Sequence, residues 1–453
     1  MGVMQGVAGV VGRQVERQVG RQLEKLMAER LHQGPHSLAV AWPGGRVGPG
    51  DAKVLLRFRE SRWLGALAHA CIGDVAEAYV RGEVEIEGSM HDLMAAAAAL
   101  VGDPTSISEP KAWQRWRQRW LSRRHHDRLQ DARQIQFHYD VSDAFYALWL
   151  DARRVYSCAY WPTGVDSLAL AQEAKLALIC RKLGLMPGMR FLDVGAGWGG
   201  LLLWAAEHHG VQAHGVTLSK HQHAHVNRLI EQKGLGDRVR MELLDYRDIH
   251  SAEWGREPFD RIASVGMFEH VGDAQLPDYF STLHALLAPG GLVLNHGITA
   301  GGLHNPQLGA GMGDFVERHI FPGGELVHVS RVSTTLAEGG LELLDVENLR
   351  PHYARTLWAW SDALEARLAE AARLVRPETL RAYRLYLAGS AMSFEQGWLS
   401  LYQLLGARPD PALERPAVQG LRGAQSAYPF ERSYMYSGLL GPPIDARRPD
   451  GAG

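Results

Sequence analysis

An acidic strand followed by glycines is the part of the sequence that most plainly predicts ligand binding. Residues 191–194 are an apolar run with one carboxylate, Asp193, and are typical of a buried parallel strand. Gly195, Gly197 and Gly200 follow directly, and an apolar helix comes next. Glycines at this point permit a tight turn and let a ligand approach the backbone. The segment therefore predicts a nucleotide-binding edge of an α/β sheet.

The position of the acid distinguishes two kinds of nucleotide site. A dinucleotide site has an acid about 20 residues further on, where it holds the ribose. The second predicted strand ends in Thr217, Leu218 and Ser219, without an acid. Asp193 instead stands two residues ahead of Gly195, as in S-adenosylmethionine-dependent methyltransferases. An ordinary strand-to-helix turn is the alternative interpretation.

Apolar segments elsewhere indicate which residues share this edge. They predict strands near 190–194, 211–217, 238–243, 259–265, 291–296, 341–347 and 398–405, with helices between them. The alternation predicts a parallel α/β sheet covered on both faces, with the last strand antiparallel at an edge. The segment 298–340 is too long for one connection. With a helix near 353–374, it is expected to form a cap over the carboxyl ends of the strands.

Polar residues after the second and third strands are candidates for holding a nucleoside. Thr217 and Gln222 follow the second strand, and the Gln222 amide could bridge ribose hydroxyls. Asp245 and Tyr246 follow the third strand. There a carboxylate can accept the adenine amino group, and a ring can cover the base.

Glu269 and His296 follow the fourth and fifth strands and are the catalytic candidates. Taken singly, Glu269 could cap the next helix and His296 could be a hydrogen-bonded core histidine. Two such groups at neighbouring strand ends, beside a cofactor pocket, favour catalysis. His221 and His225 share a helix face and could bind zinc. Because no acid or thiol partner is evident, a solvated face is expected there and no metal site is predicted.

Composition limits the class of protein. The 453 residues allow two or three domains, and a net charge of −2 argues against a nucleic-acid partner. Three cysteines indicate a reducing compartment without a disulfide framework. No run approaches the roughly 18 apolar residues of a membrane span, and the N-terminus lacks the order of a signal peptide. These features predict a soluble cytoplasmic protein, which is compatible with contact at a membrane surface.

The domain organisation is predicted from composition and periodicity. Residues 1–33 read as an amphipathic basic helix, which could lie on anionic lipid or pack on its own domain or a second subunit. A small α+β domain at 34–110 opens with a loop over 35–51. A basic linker helix at 111–133 carries tryptophans on one face, which could contact lipid or form an interdomain core. The catalytic domain spans 134–441, and 442–453 form a disordered tail.

Several motifs together resemble the cyclopropane-fatty-acyl-phospholipid synthases and the related mycolic acid cyclopropane synthases. They are FHYDVSDAFYALWLD, YSCAYW, DVGAGWGG, DYRD, MFEHVG, NHGI and HYARTLWAW. The resemblance implies a Rossmann-like S-adenosylmethionine-dependent methyltransferase fold with a cap insertion and a small N-terminal α+β domain. It also implies lipid capture by that small domain, a homodimer, and a peripheral position on the inner face of the cell membrane.

The resemblance further implies a reaction in which the sulfonium methyl passes to a cis double bond of an unsaturated phospholipid acyl chain. A bound bicarbonate then removes a proton from the new methyl, and a three-membered ring closes. By motif, the bicarbonate pocket would be Cys158, Glu269, His296, Ile298 (through its backbone) and Tyr353. Donor contacts would be Tyr139, Tyr156, Ser157, Asp193, Gly195, Gly197, Thr217, Leu218, Gln222, Asp245 and Tyr246.

Three rival functions remain open from the sequence. A fatty-acyl C-methyltransferase would keep the fold and stop at a methyl branch, and a small-amine N-methyltransferase would use another acceptor. A lipid-binding protein without catalysis would bind vesicles and release no S-adenosylhomocysteine. The complete set of Cys158, Glu269, His296 and Tyr353 favours ring closure.

Overall fold

The structure is a computed structural model that describes residues 18–31, 37–102, 143–251, 254, 256–303, 311–321, 324–410 and 431–437. The expectations for Tyr139, for the tryptophan-rich segment 111–133 and for the tail 442–453 lie outside these residues. Among the described residues, none of the helices combines the length and the apolar character that a bilayer crossing requires.

The N-terminal region, residues 37–102, folds around a four-stranded sheet. Its strands are β1 (Leu38–Trp42), β2 (Gly45–Val47), β3 (Val54–Phe58) and β4 (Val84–Glu87), in the order β2-β1-β3-β4. Helices α2 (Leu64–Ala68), α3 (Ile72–Val80) and α4 (Met90–Val101) accompany the sheet. The predicted loop over 35–51 is therefore wrong. Pro43 and Gly44 form only the hairpin turn between β1 and β2, and β1 pairs in parallel with β3, a contact that local sequence does not reveal.

Helix α1, residues 18–31, precedes this region and packs on it. Leu23, Met27 and Leu31 are buried in the same core as the strands of the small sheet. Arg21 and Lys25 are exposed on the other side of the helix. For this part of the chain, the structure favours packing on its own domain over the lipid-binding interpretation.

A seven-stranded sheet forms the centre of the rest of the chain. Its strands are β5 (Arg190–Val194), β6 (Gln212–Thr217), β7 (Val239–Leu243), β8 (Phe259–Val265), β9 (Leu287–Ala300), β10 (Glu342–Asn348) and β11 (Leu399–Ala407). They lie in the order β10-β11-β9-β8-β5-β6-β7, and only β11 is antiparallel to its neighbours. This confirms the predicted α/β class and all seven strands.

The position of β11 corrects one detail. It is antiparallel as predicted, but it is inserted between β9 and β10, so β10 forms the edge. The pattern explains why, since β11 is apolar and buried along most of its length whereas β10 is mostly exposed. A strand buried on both faces needs partners on both sides.

Helices cover both faces of the large sheet. On one face lie α6 (Leu168–Lys182), α7 (Gly200–His209) and α8 (Lys220–Gln232), whose apolar residues share a core with Phe191. On the other lie α9 (Leu276–Leu286) and α11 (Val329–Glu338), in a core with Leu192 and Val194. Alternate residues of β5 thus enter opposite cores, as a two-faced sheet requires.

A third group of helices joins the large sheet to the N-terminal region. These are α5 (Asp143–Trp149), α10 (Met312–His319), α12 (Arg350–Glu365), α13 (Leu368–Ala371) and α14 (Pro377–Glu395). Helix α14 packs against α12 and β11 and also against α3 and α4, while α10 packs against α3. The sequence predicted that 298–340 forms a cap together with a helix near 353–374. Helix α11 of this segment lies instead on a face of the large sheet, beside α9 and β10, so only part of the segment belongs to the cap.

Candidate active site

A cavity of about 350 Å³, here called the edge cavity, opens at the carboxyl ends of β5, β6 and β7. Its volume is in the range typical of small-molecule sites. Its lining contains every predicted donor residue that the structure describes. These are Tyr156, Ser157, Asp193, Gly195, Gly197, Thr217, Leu218, Gln222, Asp245 and Tyr246.

Asp193 presents an unsatisfied oxygen at the end of β5. The residue is 2% exposed, and its Oδ2 has no hydrogen-bond partner among the described residues. Burial raises the pKa of this carboxyl to about 7, and the nearby Lys175 ammonium acts in the opposite direction. The chain then turns at Gly195, whose φ of 77° suits glycine. A buried carboxylate without a partner fits a ligand that brings a hydrogen-bond donor or a positive charge.

The turn after β6 is held by a small hydrogen-bond network. Thr217 Oγ1 donates to Gln222 Oε1 at 2.8 Å and accepts from the Ser219 N–H at 3.1 Å. The Ser219 hydroxyl in turn caps helix α8. Because the Gln222 carbonyl oxygen is engaged, its NH₂ is the group suited to a ligand hydroxyl. The side chain is therefore fixed before a ligand arrives.

Asp245 is more constrained than its sequence position indicates. Its carboxylate accepts from Arg247 Nε at 2.9 Å and from Arg247 Nη2 at 2.6 Å, and it also accepts from the Arg247 backbone N–H. This pairing orients the carboxylate at the cavity wall. A ligand amino group would therefore share Asp245 with Arg247.

A second cavity of about 280 Å³, here called the apolar cavity, adjoins the first. The two linings share Tyr156, Ser157, Gly266 and His270. All of the predicted catalytic residues line it, namely Cys158, Glu269, His296, Ile298 and Tyr353. The sheet and the cap helices thus bring together residues that are nearly 200 positions apart in the chain.

The pairing of β8 with β9 brings Glu269 and His296 to this cavity. His296 lies within β9 opposite Val265, the last residue of β8, and Glu269 is in the short 3-10 turn that follows β8. Gly297 makes the approach possible, since a Cβ there would collide with the Phe268 ring and reach within 3.0 Å of Glu269 Oε1. The glycine lets the turn carrying Glu269 pack directly on β9.

Glu269 is buried with one oxygen bound and one available. Oε1 accepts from the Ile298 N–H at 2.7 Å, whereas Oε2 has no partner among the described residues. Burial raises the pKa of the carboxyl to about 7, and the Ile298 N–H opposes this increase. The Ile298 backbone, expected to contact an anion, is thus engaged in holding the carboxylate. A carboxyl group whose pKa is close to neutral pH is suited to exchange a proton or accept a hydrogen bond.

His296 is buried and oriented by β11. Its Nδ1 lies 3.2 Å from the Gln403 amide Nε2, which donates to it, so the neutral ring carries its proton on Nε2. That Nε2 has no partner among the described residues. Burial lowers the pKa of His296 well below its ordinary value, and the charges of Lys175 and Lys182 act in the same direction. The ring therefore presents a neutral N–H donor.

Cys158 and Tyr353 complete the polar end of the apolar cavity. The Cys158 thiol is fully buried and donates to the Ala159 carbonyl at 3.1 Å. Burial raises its pKa well above the usual range, which keeps the thiol protonated and a poor nucleophile. The Tyr353 ring packs on Phe394, with ring centroids 4.7 Å apart.

The remainder of the apolar cavity extends into the N-terminal region. Its walls there are apolar side chains of the small sheet and of α2, α3 and α4, together with α10. They include Leu56, Leu67, Val75, Leu93, Met94, Ala97, Leu100, Met312, Phe315 and Val316. A pocket lined mainly by apolar side chains suits a hydrocarbon chain.

Sequence reasoning missed three residues of the site. Lys175 on α6 lines the edge cavity, Gln403 orients His296, and the Tyr386 hydroxyl accepts from Tyr156 at 3.2 Å. Gln403 is a polar residue inside an otherwise apolar run, and that mismatch was an available signal, whereas Lys175 lies close to Gln172 and Glu173 and shows no such mismatch. For Tyr386, the helical pattern alone holds no such signal. By contrast, the described residues contain no group of three His, Cys, Asp or Glu side chains suited to a metal ion.

Comparisons with known proteins agree with this geometry. Residues 126–404 match the family model described as mycolic acid cyclopropane synthetase. A curated relative from Pseudomonas putida, named "Probable fatty acid methyltransferase", is 43% identical over 369 residues, which cover 81% of this chain and 91% of the relative. "Cyclopropane mycolic acid synthase 1" of Mycobacterium tuberculosis is 39% identical over 281 residues, which cover 59% of this chain and 94% of the relative.

Solved structures show the same likeness. The cyclopropane synthase MmaA2 from Mycobacterium tuberculosis has a TM-score of 0.57 at 37% identity, with 61% of this chain and 98% of that chain covered. A mycolic acid cyclopropane synthase in complex with SAH and CTAB has a TM-score of 0.56 at the same identity and coverage. The sheet order, the edge cavity and these likenesses define an S-adenosylmethionine-dependent methyltransferase. Within that class, the chain belongs to the mycolic acid cyclopropane synthetase family.

Proposed function

We propose that this enzyme transfers a methylene group from S-adenosylmethionine to the cis double bond of an unsaturated phospholipid acyl chain. The observation that carries the proposal is the junction of the two cavities at Tyr156 and Ser157. One cavity presents polar groups suited to the donor, and the other presents an apolar wall suited to an acyl chain. A double bond placed at their junction would lie next to the donor methyl.

The first contribution of the protein is alignment. An alkene is a weak nucleophile, so holding it against the methyl supplies several kcal/mol of the required lowering of the barrier. When the S–CH₃ bond breaks, the alkene electron pair forms a new C–CH₃ bond and leaves a cation on the neighbouring carbon. Loss of a proton from the new methyl lets its C–H electron pair close the ring.

The polar end of the apolar cavity fits a bicarbonate. Glu269 Oε2 is a buried acceptor without a partner, and His296 Nε2 is a buried donor without one among the described residues. A bicarbonate presents one hydroxyl and acceptor oxygens, so Glu269 would hold the former and His296 the latter. When bound there, bicarbonate supplies a base for the surplus proton. Ile298 contributes by fixing the Glu269 carboxylate.

Aromatic residues around Tyr156 would protect and stabilise the cation. The Tyr156 ring lies 5.4 Å from both Trp149 and Trp360, measured between centroids. Aromatic faces attract a nearby cation by about 0.5–2 kcal/mol each. Their bulk also excludes water, which would otherwise trap the cation as an alcohol.

Mass spectrometry of the product tests the proposal. The enzyme is incubated with isotope-labelled S-adenosylmethionine and vesicles of a monounsaturated phospholipid, with and without bicarbonate, and the acyl chains are then released. Ring closure adds one labelled CH₂ and retains the unsaturation equivalent. Saturated phospholipid is the control and should remain unlabelled. A product that gains the carbon but stays reactive as an alkene, or activity that is unaffected by bicarbonate, contradicts the proposal.

A fatty-acyl C-methyltransferase is the second candidate, favoured by the name of the Pseudomonas putida relative. It would use the same cavities and differ only in the fate of the cation. Proton loss from the cation at a neighbouring carbon would give a methyl-branched alkene of the same mass as the ring, so the reactivity of the released chains as alkenes decides between them. A saturated branch would in addition require an external hydride donor, and its product would lack the unsaturation equivalent. Either acceptor, in a phospholipid, requires the enzyme to meet a membrane surface, which cosedimentation with vesicles tests.

A further inference from the structure

Helix α6 contains two buried lysines whose partners differ. Lys182 Nζ pairs with Glu347 and lies 3.7 Å from Asp345 Oδ2. Lys175, one heptad earlier and 1% exposed, donates to the neutral hydroxyl of Ser157 at 2.9 Å. It forms no ion pair with any residue in the described ranges. A buried ammonium without a close counter-charge is costly, so Lys175 needs an explanation that Lys182 does not.

Lys175 lies at the wall of the edge cavity, near Asp193. Burial lowers its pKa to about 8, and the charges of Asp151 and Asp193 are among the influences that oppose this. Asp193 and Lys175 thus place one carboxyl group and one amine at the same cavity, and opposite charges on a ligand favour the ionised form of each. This charge pattern complements the ammonium and carboxylate of an amino acid.

The hydrogen bond between Lys175 and Ser157 has a defined direction. A lysine ammonium has donors and no acceptor, so the Ser157 oxygen must accept. The proton of the Ser157 hydroxyl must therefore point away from Lys175. Ser157 lines both cavities. Its hydroxyl is thereby set to donate towards a ligand.

We infer that Lys175 is a positioning residue for the methyl donor. It orients the Ser157 hydroxyl as a hydrogen-bond donor to the α-carboxylate of S-adenosylmethionine and supplies the positive charge behind that bond. Asp193 Oδ2 is the matching acceptor for the α-ammonium. The inference rests on the proposed donor role of the edge cavity, and it names the end of the donor that the Lys175–Ser157 pair recognises.

Two nucleosides that differ only at the amino-acid end provide the test. S-adenosylhomocysteine has the carboxylate, and 5′-methylthioadenosine lacks the amino-acid end. In Lys175→Met, the affinity for S-adenosylhomocysteine should fall about tenfold or more by calorimetry, since the Ser157 hydroxyl is no longer oriented towards the carboxylate and the positive charge behind it is lost. The affinity for 5′-methylthioadenosine should stay within about twofold. Equal losses for both ligands, or no loss for either, would overturn the inference.

Matched variants separate positioning from folding. Lys182→Met removes the other buried lysine of α6 and should leave the affinity ratio of the two ligands unchanged. Ser157→Ala should reproduce the selective loss of affinity for S-adenosylhomocysteine while the lysine is still present. The inference can therefore be tested even if Lys175→Met does not fold. Lys175→Arg should restore part of the affinity for S-adenosylhomocysteine. If Ser157→Ala weakens both ligands equally, Ser157 does not recognise the amino-acid end and the inference is wrong.

These measurements need no acyl acceptor. A failure of the binding test would leave the ring-closing proposal intact. Conversely, an enzyme that binds the donor selectively but makes no ring would contradict only the proposed function.

Discussion

The two cavities meet at Tyr156 and Ser157 but are built by different means. The edge cavity is lined by residues between 154 and 282, mostly at the ends of consecutive parallel strands. The apolar cavity is lined by residues from Leu38 to Leu401 and needs the sheet, the cap helices and the N-terminal region together. Backbone pairing fixes the first, whereas side-chain packing between distant segments creates the second. The donor site is therefore a property of the sheet, and the acceptor site is a property of the whole described chain.

The difference also appears in the polar groups. The edge cavity contains hydrogen bonds already formed, such as Thr217 with Gln222 and Asp245 with Arg247. Among the described residues, the edge cavity has one buried carboxylate oxygen without a partner, Asp193 Oδ2, whereas the polar end of the apolar cavity has both an acceptor and a donor without one, Glu269 Oε2 and His296 Nε2. The edge cavity thus calls for a ligand that donates, and the apolar cavity for a ligand that both donates and accepts.

Replacing Glu269 should distinguish the functions of the two cavities most clearly, because it should affect turnover without affecting donor binding. In Glu269→Gln, turnover should fall about a hundredfold or more. With the amide oxygen bound to the Ile298 N–H, the remaining NH₂ group can donate a hydrogen bond but cannot accept one from the bicarbonate hydroxyl. The Ile298 N–H bond can be kept by the amide oxygen, and the edge cavity is untouched. Initial rates with unsaturated vesicles measure the loss, and calorimetry with S-adenosylhomocysteine should show wild-type affinity. A near-wild-type rate would remove Glu269 from the base-holding role.

The same substitution should change the pH dependence of stability. The pKa of Glu269 is raised from 4.5 to about 7, so its contribution to stability is fullest below about pH 4.5 and is lost as pH rises through 7. Above pH 7 the wild type buries a charge that Glu269→Gln lacks, and the variant should be more stable there by about 1–3 kcal/mol. Thermal melts at pH 5 and pH 8 measure this. Glu231→Gln, at an exposed position on α8, should show no such change with pH.

Narrowing the apolar cavity from the N-terminal side should affect only the acceptor. Ala97 lines the cavity on α4, and Ala97→Trp should lower the rate with long acyl chains about tenfold relative to short ones. S-adenosylhomocysteine affinity should not change, because the edge cavity is built elsewhere. Ala95→Trp is the matched control, since Ala95 lies on the same helix outside both linings. Equal rates for both chain lengths would show that the acyl chain does not reach this wall.

A smaller effect, on stability, is expected from replacing Glu77, which lies at the contact between the N-terminal region and α10. Glu77 accepts from Arg318 and His319 across this contact, and from Arg81 at the end of its own helix. Burial opposes its ionisation, but the bonds from His319 and Arg81 outweigh burial and lower its pKa to about 2. Glu77→Gln should cost about 1–2 kcal/mol of stability at pH 7.

Hydrogen exchange locates that loss. Peptides covering α10 should exchange faster in Glu77→Gln, whereas peptides covering β5 should not change. The stabilising effect of Glu77 is present above about pH 4.5 and is lost as pH falls towards 2, so the variant and the wild type should converge in acid. Uniformly faster exchange throughout the chain would indicate a global effect and contradict a local role.

Much of the sheet was predictable from the sequence, and the errors have a common cause. Most strands of the large sheet contain a short apolar run that is followed by glycine or a polar residue, which is a local signal. The small strands β1 and β2 and the insertion of β11 depend on which distant strand each one pairs with. Local composition does not record such partners, so a hairpin with Pro43 and Gly44 looked like a loop.

By itself, the sequence determined the α/β class, the acid and glycines at the end of β5, and the adjacency of Glu269 and His296 on neighbouring strand segments, although β9 continues past His296 to Ala300. Strand order, the burial of Lys175 against a neutral hydroxyl and the apolar cavity were decided only by the tertiary structure. The physical reason is range: strand and turn formation depend on residues close in the chain, whereas desolvation and cavity shape depend on every segment that packs around a point.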